Sequence, residues 1–299
     1  MNAVRWVVVV ALGAQACGAR SETRAAGEPR LPTGEVIQSK NSAVASTADR
    51  PWDDALGAVI ALPASASAGS MLLIRDESNG ADVDVELFTH DDRVLRASMR
   101  PGAALGCGWA RAVTLQNAAP GTNTSWALAL APGVALPMAV DAIGDLTPRD
   151  SSELAARVSR LVNALSGDST IAPFRGLPVV VRDAWTATLP DGTPVVVAVA
   201  MRSLNVESNP RAEIITVVAE PESPVPGAAW RSAFTRRDAG PEDRVEGADL
   251  LSAVLLGGKV PVLAMLRETE HGPAVDFIER VSPAAWRLRW TTASLPCAP

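Results

Sequence analysis

The residues best suited to chemistry lie close together: Arg202, Asn205, Glu207, Asn209, Arg211 and Glu213. Two carboxylates with arginines beside them can hold a polar ligand or divide acid and base roles between them. That reading makes the chain a carboxylate-dependent hydrolase. The same residues also fit a polar hairpin tip with cross-strand ion pairs, each worth less than ~1 kcal/mol when exposed. On that second reading the cluster is a local feature of two strands and carries no reaction.

Other chemistries lack their residues. The chain has two histidines, His90 and His271, each in a predicted hairpin tip. Zinc needs three or more converging ligands, and no His-Glu-x-x-His is present. A serine hydrolase needs a histidine base and a Gly-x-Ser-x-Gly elbow, which is also missing. Gly106-Cys107-Gly108 has Arg111 where a dinucleotide loop places its third glycine, and Gly257-Gly258-Lys259 lacks the Ser or Thr of a phosphate loop. Asp82, Asp84 and Glu86 alternate with Val83, Val85 and Leu87, which predicts one wet strand face and not a calcium turn. Trp185, Trp230, Trp286 and Trp290 read as core positions on strands. No metal and no cofactor is expected. The formal net charge of -6 and pI of about 5.1 argue against a nucleic-acid partner.

The elements that must position these residues are mostly strands. The pattern predicts a mainly β (α+β) protein: antiparallel β-meanders in two units with one principal amphipathic helix between them. Strands are expected at Leu56–Leu62, Val94–Met99, Trp109–Leu115, Trp126–Leu130 and Val134–Val140. Asn79-Gly80 predicts a hairpin between Met71–Ile74 and the alternating run at 82–87. The helix, 148 to 166, opens with Thr147-Pro148 and carries the stripe Leu154, Val158, Leu161, Val162, with Gly167 placed to end it. Further strands follow at Val179–Leu189, Pro194–Leu204, Ala212–Glu220, Trp230–Arg236, Leu250–Leu256, Val260–Glu268, Ala274–Val281 and Trp286–Trp290. Pro194–Arg202 and Pro261–Arg267 share a proline entry, an apolar strand and a terminal arginine, a faint internal repeat. The two meanders are similar to β-propeller blades, though two blades do not close a propeller.

The N-terminus carries the remaining signal. Arg5 precedes an apolar run from Trp6 to Ala16, about 16 Å as a helix and roughly half the ~30 Å bilayer core. The run suits a signal peptide better than a membrane span. It ends Ala14-Gln15-Ala16-Cys17, which resembles the bacterial lipoprotein signal. The resemblance covers the N-terminal segment only. It implies cleavage before Cys17 and a lipid on that cysteine, with Ala14 where the family usually has leucine. Residues 17 to 50 lack apolar periodicity and read as a disordered tether. Export would place Cys107 and Cys297 in an oxidising compartment, where they are expected to pair. That disulfide would enclose about 190 residues and contribute roughly 5 kcal/mol.

The expected organisation is therefore a signal peptide at 1–16, a tether at 17–50, a β-rich unit at 51–145, a linking helix region at 146–171 and a meander unit at 172–299. The expected function is that of a non-enzymatic, exported cell-envelope lipoprotein with a binding or structural role. Its anchor would hold it to a membrane facing the periplasm or exterior, with an envelope protein as partner. The alternatives are a secreted soluble protein, the carboxylate-dependent hydrolase, and an accessory subunit of an envelope complex.

Overall fold

The computed structural model describes residues 52–65, 69–74, 81–90, 93–104, 110–116, 126–165, 173–205, 209–223, 225, 227–269 and 272–292. All belong to the unit Val36–Pro299. The fold is mainly β, antiparallel throughout, with one long helix among the described residues.

Six strands come first: β1 (Val59–Ser65), β2 (Gly69–Ile74), β3 (Val83–Phe88), β4 (Val94–Ala104), β5 (Ala110–Gln116) and β6 (Leu128–Leu130). They close into a barrel in the order β1-β2-β5-β4-β3-β6. The period-two pattern sets its inside and outside. Val59, Ala61, Val85, Leu87, Met99 and Ala129 share the inner face. Asp82 and Asp84 point outward and are exposed, and Arg100 holds Asp82 at 2.8 Å. The hairpin expected at Asn79-Gly80 is not formed: β2 pairs with β1 and β5, while β3 pairs with β4 and β6. Closing the barrel leaves neither strand a free edge, so long-range pairing overrides the local turn preference. The turn residues themselves lie outside the described residues.

The segment expected as one strand at 134–140 is two. β7 (Ala135–Met138) pairs with a strand of one C-terminal sheet, and β8 (Val140–Ala142) with a strand of the other. Residues that the sequence groups with the N-terminal unit thus form edges of the C-terminal sheets. Pro137 is tolerated in β7 because an edge strand has one unpaired side.

The helix α1 (Pro148–Ala164) follows. Thr147 caps it, its hydroxyl oxygen accepting from Asp150 N at 3.2 Å, and Pro148 occupies the first helical position. Leu154, Val158, Leu161 and Val162 are buried, as their spacing requires. The helix ends at Ala164, two residues earlier than expected.

Two sheets of the same design complete the unit. β9 (Val180–Thr188), β10 (Pro194–Leu204), β11 (Arg211–Pro221) and β12 (Trp230–Pro241) form a meander that β8 extends beside β9. β13 (Gly247–Leu256), β14 (Val260–Thr269), β15 (Gly272–Ser282) and β16 (Ala285–Thr291) form another, which β7 extends beside β13. The arginine-ended strands of the faint repeat are the second strand of each meander. Val195–Ala200 is an unbroken apolar run, and every residue of it is buried. Such a run belongs to a strand covered on both faces. One face of the first sheet packs on α1 through Val196, Ala198, Ile215 and Val217. The other packs on the second sheet, where Trp185, Val197 and Val218 meet Leu263, Met265 and Ile278. The far face of the second sheet lies on the barrel, with Val254, Phe277 and Trp290 against Ile60, Phe88 and Leu130. The order of layers is helix, sheet, sheet, barrel.

Candidate functional site

Arg202 and Glu213 of the predicted polar cluster sit directly opposite each other on β10 and β11. Both are buried and face α1. Arg202 Nη1 donates to Glu213 Oε2 at 3.2 Å, while Nη2 donates to the carbonyl of Val162 at 3.2 Å and to Asn163 Oδ1 at 3.0 Å. Arg237 of β12 stands 3.6 Å from the other oxygen of Glu213. The pair therefore closes the C-terminus of α1, a task the sequence assigns to Gly167, which lies outside the described residues. A cation suits that end of a helix, where carbonyls lack intrahelical partners. Arg211 is half-buried opposite Leu204, and Asn205 is exposed beyond the end of β10. Glu207 lies outside the described residues, as do Cys17, Cys107 and Cys297. Among the described residues the cluster brings no second carboxylate beside Glu213, so the acid-base pair of the hydrolase reading is not assembled from them.

Three further carboxylates are buried in the sheets. Glu220 of β11 faces the second sheet and accepts four hydrogen bonds. Arg280 Nε and Nη2 donate at 2.9 and 2.7 Å, Trp286 Nε1 at 2.6 Å and the Ala284 backbone N–H at 2.9 Å. Ala284 has a positive φ of 51°, unfavourable for a residue with a Cβ, so Glu220 also braces the strained β15–β16 turn. Asp276 of β15 accepts from Arg236 of the first sheet at 2.5 Å and from Thr291 at 2.7 Å, with Arg267 Nε 2.8 Å away. Glu279 turns the other way, toward the barrel, and holds Arg287 and Arg289; Arg289 reaches on to Asp53 at 2.5 Å. These groups tie adjacent layers together.

The third guanidinium nitrogen of Arg280 donates to Asp191 at 2.6 Å, and Thr193 N donates to the same carboxylate at 2.9 Å. Arg280 above all holds the Asp191 carboxyl below its usual 3.8, at about 2. A depressed pKa contributes stability that is complete above the unfolded value and is lost as pH falls through the folded one. The native protein should thus lose this contribution between about pH 4 and pH 2. Asp191→Asn should flatten the acid limb in that window and change little at neutral pH beyond the lost pair. Urea unfolding of both proteins across the window checks this, and parallel acid limbs would refute it. Asp191 is half exposed, so the effect is modest.

A crevice of about 320 Å³ opens between the barrel and the second sheet. Leu62 of β1, Trp126 just before β6, Leu250 of β13 and Leu266 of β14 provide apolar wall, and His90 and Asp249 provide polar groups. His90 sits in the β3–β4 turn, as its sequence context predicts. Its carbonyl accepts from Val140 N at 3.1 Å, which fixes that turn to the crossing between β7 and β8. Asp249 lies in the first turn-side residues of β13. Asp249 is exposed. Partial desolvation first and the charge of Asp183 second raise its carboxyl from the ordinary value, with His90 acting in the opposite sense.

Sequence reading places His90 at a turn but does not bring it to Asp249, because the two are far apart in sequence and on different layers. The buried ion pairs did leave a signal. Of 27 basic residues only Lys40 and Lys259 are lysine. The planar guanidinium suits buried carboxylates better than an ammonium does. Acids inside apolar runs, such as Asp276 in Ala274–Ile278, mark where those guanidiniums go. Among the described residues no group of three or more His, Cys, Asp or Glu converges as a metal site, and no helix is long and apolar enough to cross a membrane. No known family, curated protein or solved structure matches the chain.

Proposed function

We propose that the chain is an exported cell-envelope lipoprotein, anchored through Cys17, whose body has a non-enzymatic binding role. The anchor half of this reading rests on Arg5, the apolar run Trp6–Ala16 and the small residues before Cys17. The binding half rests on the crevice, whose wall is mainly apolar with His90 and Asp249 as polar groups, the usual make-up of a ligand pocket. Arg202 and Glu213, the pair of the polar cluster that is buried, support it too, since they are engaged with each other and with the end of α1. The expected membrane faces the periplasm or exterior, and an envelope protein is the expected neighbour.

Intact mass of the mature protein, made in a bacterium that processes lipoproteins, tests the anchor. The expected species begins at Cys17 and carries acyl groups. Cys17→Ser should move the protein from the membrane to the soluble fraction. A plain peptide mass beginning at Gly18 or later would refute the anchor.

A further inference from the structure

Six large apolar side chains are exposed among the described residues: Leu95, Leu136, Val180, Val225, Val260 and Val281. Scattered singly they would carry no meaning. Four of them gather at one end of the two sheets. In the second sheet, Leu256 at the end of β13 lies opposite both Ala135 of β7 and Val260 of β14. β15 runs antiparallel to β14, so its last residues and the turn into β16 lie at that end too. The first sheet is aligned with it, because Arg280 holds Asp191 of the β9–β10 turn and Glu220, near the end of β11, holds the N–H of Ala284. Leu136, Val225, Val260 and Val281 therefore stand at or beside turns of this one end, and Val225 and Leu136 are the most exposed of the six, at 64% and 55%. The chain enters the body here as well. Gly57, five residues after Trp52, lies against Val134, whose carbonyl accepts from the N–H of Gly257 in the β13–β14 turn.

We propose that this end of the body rests on the phospholipid bilayer that anchors the chain. The inference rests on the anchor proposed above and adds which surface of the body meets the lipid. A tether entering beside these turns makes docking an intramolecular step, so a weak contact suffices. Apolar side chains on separate turns suit shallow entry at the boundary between headgroups and acyl chains. Exposed Lys259 stands next to Val260, where its stem can lie along the apolar layer and its ammonium can meet phosphates. The opposite end of the sheets carries the exposed carboxylates Glu242, Asp243, Asp249 and Glu268. An anionic bilayer repels that end and so favours the same orientation.

The acylated protein, reconstituted in vesicles of phosphatidylethanolamine and phosphatidylglycerol with a brominated phosphatidylcholine, tests this. Val225→Trp adds an indole at the proposed contact, and Val180→Trp adds one at the far end of β9. The bromine should quench the fluorescence added at 225 about twofold or more strongly than that added at 180. Adding Leu136→Asp and Val260→Asp to the Val225→Trp protein should remove the difference. Both sites are exposed, so circular dichroism and melting temperature should stay near those of the native protein. Equal quenching at 225 and 180, or quenching at 225 that survives the two aspartates, would overturn the docking surface while vesicle flotation still shows the anchor. Equal quenching in a protein that sediments as a dimer, and as a monomer with the two aspartates, would give the surface to a second copy of the chain instead. A mass without acyl groups would overturn the anchor and the docking together.

Discussion

Glu220→Ala should cost about 3–5 kcal/mol of unfolding free energy, the largest effect expected of a single substitution here. The carboxylate is 1% exposed and receives donors from Arg280, Trp286 and Ala284. Removing it leaves Nε and Nη2 of Arg280 and the Trp286 indole N–H without their acceptor at the join of the two sheets, with only Nη1 still held by Asp191. It also frees the turn at Ala284, whose left-handed backbone then has one support fewer. Urea unfolding followed by tryptophan fluorescence reads the loss, since Trp286 reports directly on the site. Glu220→Gln keeps the shape but sets an amide NH2 against one of the donors, and should fall between alanine and the native protein. Domain stabilities lie near 5–15 kcal/mol, so the alanine variant should be close to unfolded at 37 °C. A loss under ~1 kcal/mol would mean that the sheets are held by apolar packing alone.

Arg202→Ala is the second large effect, again about 3–5 kcal/mol. Glu213 is fully buried, and with Arg202 gone its nearest cation is Arg237 at 3.6 Å. The Val162 carbonyl and Asn163 side chain lose their donor as well, so the last turn of α1 should fray. Two readouts separate this from a general loss of stability: amide exchange should rise first at the C-terminal turn of α1, and helical circular dichroism should fall before the sheet signal. The double variant Arg202→Leu with Glu213→Leu removes both charges, and should recover most of the stability because neither group is left unpaired. A double variant as unstable as the single one would show that the charge pair is not what Arg202 contributes.

Much of the fold is legible in the residues. Thr147-Pro148 and the stripe from Leu154 to Val162 define α1, and its cap and buried face are where they predict. The eight C-terminal strands follow from turn residues such as Asp191-Gly192 and Gly257-Gly258 between apolar runs. These are local signals, written within a few residues of the backbone they shape. The Arg202 and Glu213 pairing is legible as well, but not its purpose. Nothing near either residue says that the end of α1, some 40 positions earlier, is what they meet.

What the sequence by itself determined is the type of most elements, the buried face of α1 and the turns within the C-terminal meanders, because periodicity and turn chemistry act over short distances. The tertiary structure alone decided that β2 leaves β3 for β5, that the segment at 135–142 is shared between two sheets, and that buried acids find their arginines across layers. Those outcomes depend on which faces and edges are still uncovered once distant strands have paired. The same holds for the crevice: His90 and Asp249 come to line it together only because the barrel and the second sheet bury their apolar faces against each other.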